Sequence, residues 1–153
     1  MLVGVDIGLF DEVADLVRML SPEELGEVRV RARRWGIKVW FGPAAPPKEH
    51  YEAQVIPARL CPEAAAVGLE VGFHAEHADP KANVTAMAPV VAKRSTWRRG
   101  LGEAAVDGPF LGRDGWLRVS ETWADPDLSD PELPMDLATR MVDYLVAIEP
   151  LRR

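Results

Sequence analysis

The segment AAVGLEVGFHA, residues 65–75, decides the fold class of this 153-residue chain. Its apolar side chains alternate with glycines and polar side chains: Val67, Leu69, Val71 and Phe73 on one side, and Gly68, Glu70, Gly72 and His74 on the other. A period of two is the side-chain period of a β-strand, and one apolar face opposite one polar face is typical of antiparallel sheets. The segment therefore predicts a strand that covers a core with one face only.

Further strand signals lie on both sides of this segment. Residues 37–42 (IKVWFG) and 51–57 (YEAQVIP) are rich in β-branched and aromatic residues, and the proline-rich PAAPPKEH separates them as a turn. Residues 108–123 (GPFLGRDGWLRVSETW) contain two apolar arms around Asp114-Gly115, a dipeptide that favours hairpins. Hairpin turns instead of helical crossovers predict a mainly antiparallel sheet.

The N-terminal part of the chain predicts two helices. Apolar residues recur at helical spacing within residues 10–20, and SPEEL, residues 21–25, supplies a cap and an acidic first turn for a second helix. The apolar side of that second helix is formed by Leu25, Val28 and Ala32. It is predicted to end near Gly36, which gives an N-terminal helix pair.

Two further helices follow in the second half of the chain. The first begins at Asp79-Pro80 and runs to Trp97, with a kink or break expected at Pro89. Its apolar stripe is formed by Val84, Met87, Ala88 and Val91, and that of the closing helix by Leu137, Met141, Tyr144, Leu145 and Ile148. The sequence thus predicts one α+β domain over residues 1–153, with a helical part at 1–36 and a core of sheet and helices at 37–153.

Composition excludes several classes of protein. The formal charge of -6 and the isoelectric point near 5.1 disfavour a general coat for nucleic acid or a membrane surface. The single cysteine, Cys61, has no intramolecular partner for a disulfide. No apolar run reaches the roughly 18–20 residues that span a bilayer, and the N-terminus lacks the pattern of a signal peptide. We expect a cytoplasmic protein with no membrane partner.

The stretch GFHAEHADP, residues 72–80, holds two of the three histidines and offers a candidate metal site. The ligand types suit zinc, manganese or iron, and the candidate ligands are His74, Glu76, His77 and Asp79. They would serve a metal-dependent hydrolase or nuclease. In the alternative interpretation Asp79 caps a helix and His74 and Glu76 lie on a solvated strand end. No HExxH, CxxC or second pair at fixed spacing is recognised elsewhere, so the sequence predicts no cofactor, with a divalent metal as the alternative.

The polar face of the predicted sheet is the second candidate site. A binding surface is predicted there, formed by Trp40, Gln54, Glu70 and His74. Glu52 shares this face, and paired carboxylates with a histidine suit general acid and base chemistry inside a cleft. Gly68 and Gly72 would leave room for a ligand, or for helices that cover the face.

Two basic clusters surround tryptophans. Trp35 lies among Arg29, Arg31, Arg33, Arg34 and Lys38, and Trp97 lies among Lys93, Arg94, Arg98 and Arg99. Basic side chains next to aromatic rings suit single-stranded nucleic acid. The other interpretation is that both tryptophans belong to the core or its rim, with solvated arginines around them.

The segment GVDIG, residues 4–8, resembles the first strand and turn of actin-like ATPases and resolvase-type nucleases. The resemblance implies a metal-binding role for Asp6, with Glu70 and Asp143 as acidic partners. The chain departs from those folds after this segment, because helical spacing follows where they have further strands.

The order of GLEVGFHAEH, WRRGLG, GPFLGRDGWLRVSETW and DPDLSDPEL, from Tyr51 to the C-terminus, resembles a conserved family of high-GC bacteria that has no assigned activity. The resemblance implies a fold and no catalytic residues. Phosphate-binding glycine loops and nucleophile elbows are absent from the sequence. The leading hypothesis is therefore a non-catalytic binding module for a small molecule or protein, and a homodimer is compatible with its apolar and tryptophan content.

Overall fold

The structure, a computed structural model, describes residues 8–153. Within this range the α-helices are α1 Leu9–Leu20, α2 Pro80–Val91, α3 Arg94–Leu101 and α4 Leu133–Arg152. The strands are β1 Val28–Arg33, β2 Gly36–Phe41, β3 Glu49–Pro57, β4 Val67–Ala75, β5 Val106–Pro109 and β6 Leu117–Ala124. Short 3-10 turns occupy Glu23–Leu25 and Ala58–Leu60.

The strands form one six-stranded sheet in the order β1-β2-β3-β4-β6-β5, and every neighbouring pair is antiparallel. Helices α1, α2 and α4 pack on the sheet, and α3 packs on α4. The predicted α+β fold with a mainly antiparallel sheet is confirmed, as are the hairpin near Asp114 and the strand at residues 67–75.

The core lies between the helices and one face of the sheet. The alternating residues Leu69, Val71 and Phe73 of β4 are fully buried there. All five residues of the predicted α4 stripe, Leu137, Met141, Tyr144, Leu145 and Ile148, are buried too. Because the helices cover this face, the opposite face of the sheet carries the polar residues of β3 and β4.

The prediction of a second N-terminal helix is wrong, and the predicted helical part at 1–36 therefore ends early. Glu23–Leu25 forms only a 3-10 turn, and Gly26, at φ 94°, ends it. Residues Val28–Arg33 form strand β1 and pair with β2. The sequence VRVRAR alternates with period two, and Val28 and Ala32 are compatible with both periods, so the β-branched residues and the sheet decide the outcome.

The helical region after Asp79 differs from the prediction in its buried face. The buried side chains of α2 are Asn83, Met87 and Val90, whereas Val84 is 62% exposed. Asp79 does cap this helix, since its carboxylate accepts a hydrogen bond from the amide of Lys81 at 3.0 Å. The break expected at Pro89 occurs just after it, where α2 ends at Val91 and α3 begins at Arg94. None of the helices described is long and apolar enough to cross a membrane.

Loops cover parts of the polar face. Cys61 packs where Gly68 has no side chain, since a Cβ on Gly68 would lie 2.6 Å from the sulfur. Phe110, in the β5–β6 loop, contacts His74 edge-on with 4.6 Å between ring centroids. The N-terminal helix α1 packs on the other side of the sheet, with the core. The polar face is therefore a partly roofed depression.

Candidate metal centre

Strand register brings the polar side chains of β3 and β4 together. In the antiparallel pairing His50 lies opposite His74, and Gln54 lies opposite Glu70. Glu52 lies opposite Gly72, which has no side chain. A Cβ on Gly72 would come within 2.2 Å of the carbonyl oxygen of Val119 in β6, so glycine is needed for the close approach of these strands. The polar side chains of β3 and β4 thus converge around this position.

The four side chains of His50, Glu52, His74 and Glu76 form a compact cluster with one ligand atom each, all within 4.8 Å of one another. His50 Nε2 lies 3.0 Å from an oxygen of Glu52 and 3.4 Å from one of Glu76. His74 Nδ1 lies 3.1 Å from the same oxygen of Glu76 and 3.7 Å from that of Glu52. His50 Nε2 and His74 Nδ1 therefore each face both carboxylates.

The outer nitrogens of the two imidazoles are held by the protein. His50 Nδ1 is 2.8 Å from the carbonyl oxygen of Pro47, and His74 Nε2 is 2.7 Å from Glu70. A carbonyl oxygen can only accept, so the first contact places a proton on Nδ1 of His50. Gln54 donates to the other oxygen of Glu70 at 2.9 Å. These contacts fix the ring orientations and direct His50 Nε2 and His74 Nδ1 into the cluster.

The cluster has strongly perturbed acidities. Burial disfavours the charged carboxylate of Glu76, but hydrogen bonds from His50 and His74 outweigh it and lower the pKa of Glu76 to about 2. The pKa of Glu52 is lowered further against the same burial penalty by His50, His74 and Arg33. Burial also opposes the charged imidazole of His74, yet Glu70 and the other carboxylates raise its pKa well above the usual value. Without a metal the cluster is thus a buried network of opposite charges.

Only two of the four predicted metal ligands belong to this cluster. His74 and Glu76 do, but His77 is directed elsewhere and its Nε2 lies 2.7 Å from Glu49. Asp79 serves as the helix cap described above. The chain leaves the strand after Ala75, so residues 77 and 79 no longer share the face of His74.

Sequence reasoning missed His50 because it began the strand at Tyr51 and left His50 in the preceding turn. It placed Glu52 on the polar face but did not count it among the metal ligands. In the structure β3 begins at Glu49. The signal was present as a repeated His-x-Glu pattern, HYE at residues 50–52 and HAE at residues 74–76. A spacing of two on a strand places both members of each pair on one face.

Three of the four residues of the predicted binding surface are brought together, but most of the surface is not exposed. Gln54, Glu70 and His74 are joined in one hydrogen-bonded chain, and Trp40 lies on the neighbouring strand β2, where its indole donates to the carbonyl of Pro43 at 2.7 Å. Trp40, Glu70 and His74 are buried, whereas Gln54 is partly exposed. The polar groups of this surface are used within the protein.

The two basic clusters around tryptophans differ in accessibility. Trp97 is buried with 1% exposure and donates to the carbonyl of Val90, so its ring cannot stack on a base. Trp35 is partly exposed, with the guanidinium of Arg34 4.8 Å from its ring centroid.

The acidic set suggested by GVDIG is divided by the sheet. Asp6 lies outside the described residues. Glu70 belongs to the polar face, whereas Asp143 lies on α4, across the sheet, and pairs with Arg140 at 3.3 Å.

A cavity of about 240 Å³ opens over the cluster. Its lining is formed by Arg33, Lys38, Glu52, Gln54, Glu76, Phe110 and Trp116. Two carboxylates of the cluster thus face a space that a small molecule can enter. Comparison of the chain with protein-family models, curated proteins and solved structures gives no match.

Proposed function

We propose that this protein binds a divalent transition-metal ion through His50, Glu52, His74 and Glu76. The observation that carries the proposal is the set of nitrogen to oxygen separations, 3.0, 3.4, 3.1 and 3.7 Å. Ligands about 2.0–2.1 Å from a tetrahedral zinc ion are separated by about 3.3 Å. The four nitrogen to oxygen separations are close to this value, and all four ligand atoms lie within 4.8 Å of one another, so the cluster is close to the size of a coordination sphere.

The surroundings of the two histidines support a metal site independently. Histidine ligands usually donate their second ring nitrogen to a carboxylate or a backbone carbonyl, which orients the ring and increases its basicity. His74 meets Glu70 in this way, and His50 meets the carbonyl of Pro47. Arg33 holds the outer oxygen of Glu52 at 2.7 Å and so orients a carboxylate ligand as well.

The metal site has more support than the purely non-catalytic binding surface of Trp40, Gln54, Glu70 and His74. A surface that binds a partner needs unsatisfied polar groups or exposed rings, and three of these four residues are buried. A metal-dependent hydrolase is the second candidate. It is favoured by the cavity, because Glu52 and Glu76 line it and an ion between them would be accessible to a substrate.

The test is metal binding by protein that has been stripped with a chelator and titrated with Zn²⁺ or Co²⁺ in a calorimeter. We expect one equivalent to bind. His50→Ala should weaken binding by more than about 100-fold, since loss of a ligand costs more than loss of a second-shell partner. Binding should strengthen as the pH rises, because the metal displaces protons from the imidazoles.

The matched control is His77→Ala, which removes a histidine that the structure places outside the cluster. It should bind metal as the unmodified protein does. The conservative variant His50→Gln and a circular-dichroism spectrum separate a lost ligand from a lost fold. Less than about a tenth of an equivalent of metal in the unmodified protein, or equal losses in His77→Ala and His50→Ala, would contradict the proposal, since metal sites of this kind bind tightly.

A further inference from the structure

The cavity over the cluster has one basic wall. Lys38 and Arg33 line it on the side of β2 and β1, and Phe110 and Trp116 line it on the side of the β5–β6 loop. Lys38 is placed there by register, since it lies opposite Glu52 on the neighbouring strand. Its neighbours Ile37 and Val39 are buried in the core, so the strand period directs Lys38 to the polar face.

Lys38 has no ion-pair partner among the described residues, although it lies beside a cluster of carboxylates. Its other cross-strand neighbour is Arg31, another cation. Like charges directly opposite each other on a sheet are unfavourable. Glu52, the acid opposite Lys38 on β3, forms its ion pair with Arg33 at 2.7 Å instead. Lys38 is therefore a cation at the edge of the cavity whose charge the protein does not compensate by contact.

An ion in the cluster would make the cavity more positive. The two charges of the ion are balanced by its ligands Glu52 and Glu76. Glu70 lies behind His74, away from the cavity, and close enough to Arg118 to influence it electrostatically. The charges of Arg33 and Lys38 then remain at the wall, which suits an anion.

We infer that the cavity binds a small oxyanion, a phosphate or carboxylate group, with one oxygen on the metal ion and another on the ammonium group of Lys38. The inference rests on the proposed metal site. The volume of about 240 Å³ is below the roughly 300–1,000 Å³ of sites for drug-sized molecules, so the ligand is small or enters with one end only.

The opposite wall suits a short apolar portion of such a ligand. The ring of Trp116 packs edge-on against Phe110 with 5.4 Å between centroids, and Arg113 lies 4.0 Å from the Trp116 centroid. These contacts fix the positions of two rings that line the cavity, and aromatic rings suit carbon atoms of a ligand.

The test uses Co²⁺-loaded protein, because the visible absorption of Co²⁺ reports a change in its ligands. Inorganic phosphate and acetate are titrated separately, with neutral acetamide as a comparison. We expect a saturable spectral change with at least one anion and none with acetamide. Tighter phosphate binding assigns the site to phosphate esters, and tighter acetate binding assigns it to carboxylates.

Lys38→Gln should weaken anion binding by roughly 10-fold or more, the usual scale for a charged hydrogen bond, while Co²⁺ affinity stays unchanged. Lys93→Gln is the matched control, since it removes the same charge from an exposed position between α2 and α3. If Co²⁺ binds but no anion alters its spectrum, the inference fails and the metal site stands. Equal anion affinity without metal, or equal losses in both lysine variants, would also overturn it. Failure of Co²⁺ to bind would instead remove the proposed function itself.

Discussion

The two faces of the central strand β4 are buried equally but for different reasons. Leu69, Val71 and Phe73 on one face are covered by helices and stabilised by removal of apolar surface from water. Glu70 and His74 on the other face are also 0% exposed, yet their burial costs free energy unless every polar atom is paired. The polar face is thus organised by hydrogen bonds and charge.

Every buried side-chain polar atom described on the polar face has a hydrogen-bond partner. Among the described residues the only buried side-chain polar atom without a partner is the hydroxyl of Ser21, which is far from the cluster in sequence and lies at the end of α1. Buried charge networks seldom add net stability over apolar packing. The comparison therefore indicates that the core face supplies most of the stability of the fold, whereas the polar face adds little to it.

The largest expected effect is a loss of stability at Phe73, the neighbour of His74 in β4 that lies on the core face. Phe73→Ala should lower the free energy of unfolding by about 3–5 kcal/mol, since a buried ring is replaced by a cavity. Metal affinity of the folded protein should stay near that of the unmodified chain. Urea denaturation and Zn²⁺ titration measure the two quantities. Phe73→Leu, which keeps most of the volume, should cost less than about 1.5 kcal/mol. Loss of metal binding without loss of stability would break the division between the faces.

A second prediction sharpens the comparison with the same chemical change on each face. Glu70→Gln should weaken metal binding by about 10- to 100-fold, because Glu70 orients His74 from the second shell. Calorimetric titration with Zn²⁺ measures the change.

Glu121→Gln is the matched control for this experiment. Glu121 is buried on the core face, where it accepts hydrogen bonds from Tyr144 and Trp123. This substitution should alter stability but leave metal affinity unchanged. Equal weakening of metal binding by both variants would show that the effect is one of stability.

The smallest expected effect concerns Asp79, a predicted ligand that the structure assigns to a helix cap. Asp79→Ala should reduce stability by about 1 kcal/mol, the usual cost of removing an N-cap side chain. Asp79→Ser should restore most of it. Neither substitution should change metal affinity, as measured by Zn²⁺ titration, and a change of 10-fold would return Asp79 to the list of ligands.

A segment could be predicted from sequence when its apolar residues fit the spacing of a helix or of a strand, but not both. Residues 67–75 fit only a strand, and both the strand and the polar position of His74 were predicted. Val28 and Ala32 fit helix and strand, and pairing with β2, a contact distant from local sequence, decided between them. His50 was missed because the start of the strand was placed two residues too late, at Tyr51 instead of Glu49, and strand boundaries are set by pairing partners rather than by propensity.

Gly72 gives the polar face a consequence for any scan of mutational tolerance. It lies at the centre of the cluster, opposite Glu52, and binds nothing, yet any side chain there would collide with the backbone of β6. In a saturation library scored by metal retention, Gly72 would rank with the ligands themselves. A tolerance map alone would therefore count Gly72 among the proposed ligands, and only the chemistry of the substitutions would distinguish a ligand from the space that strand packing requires.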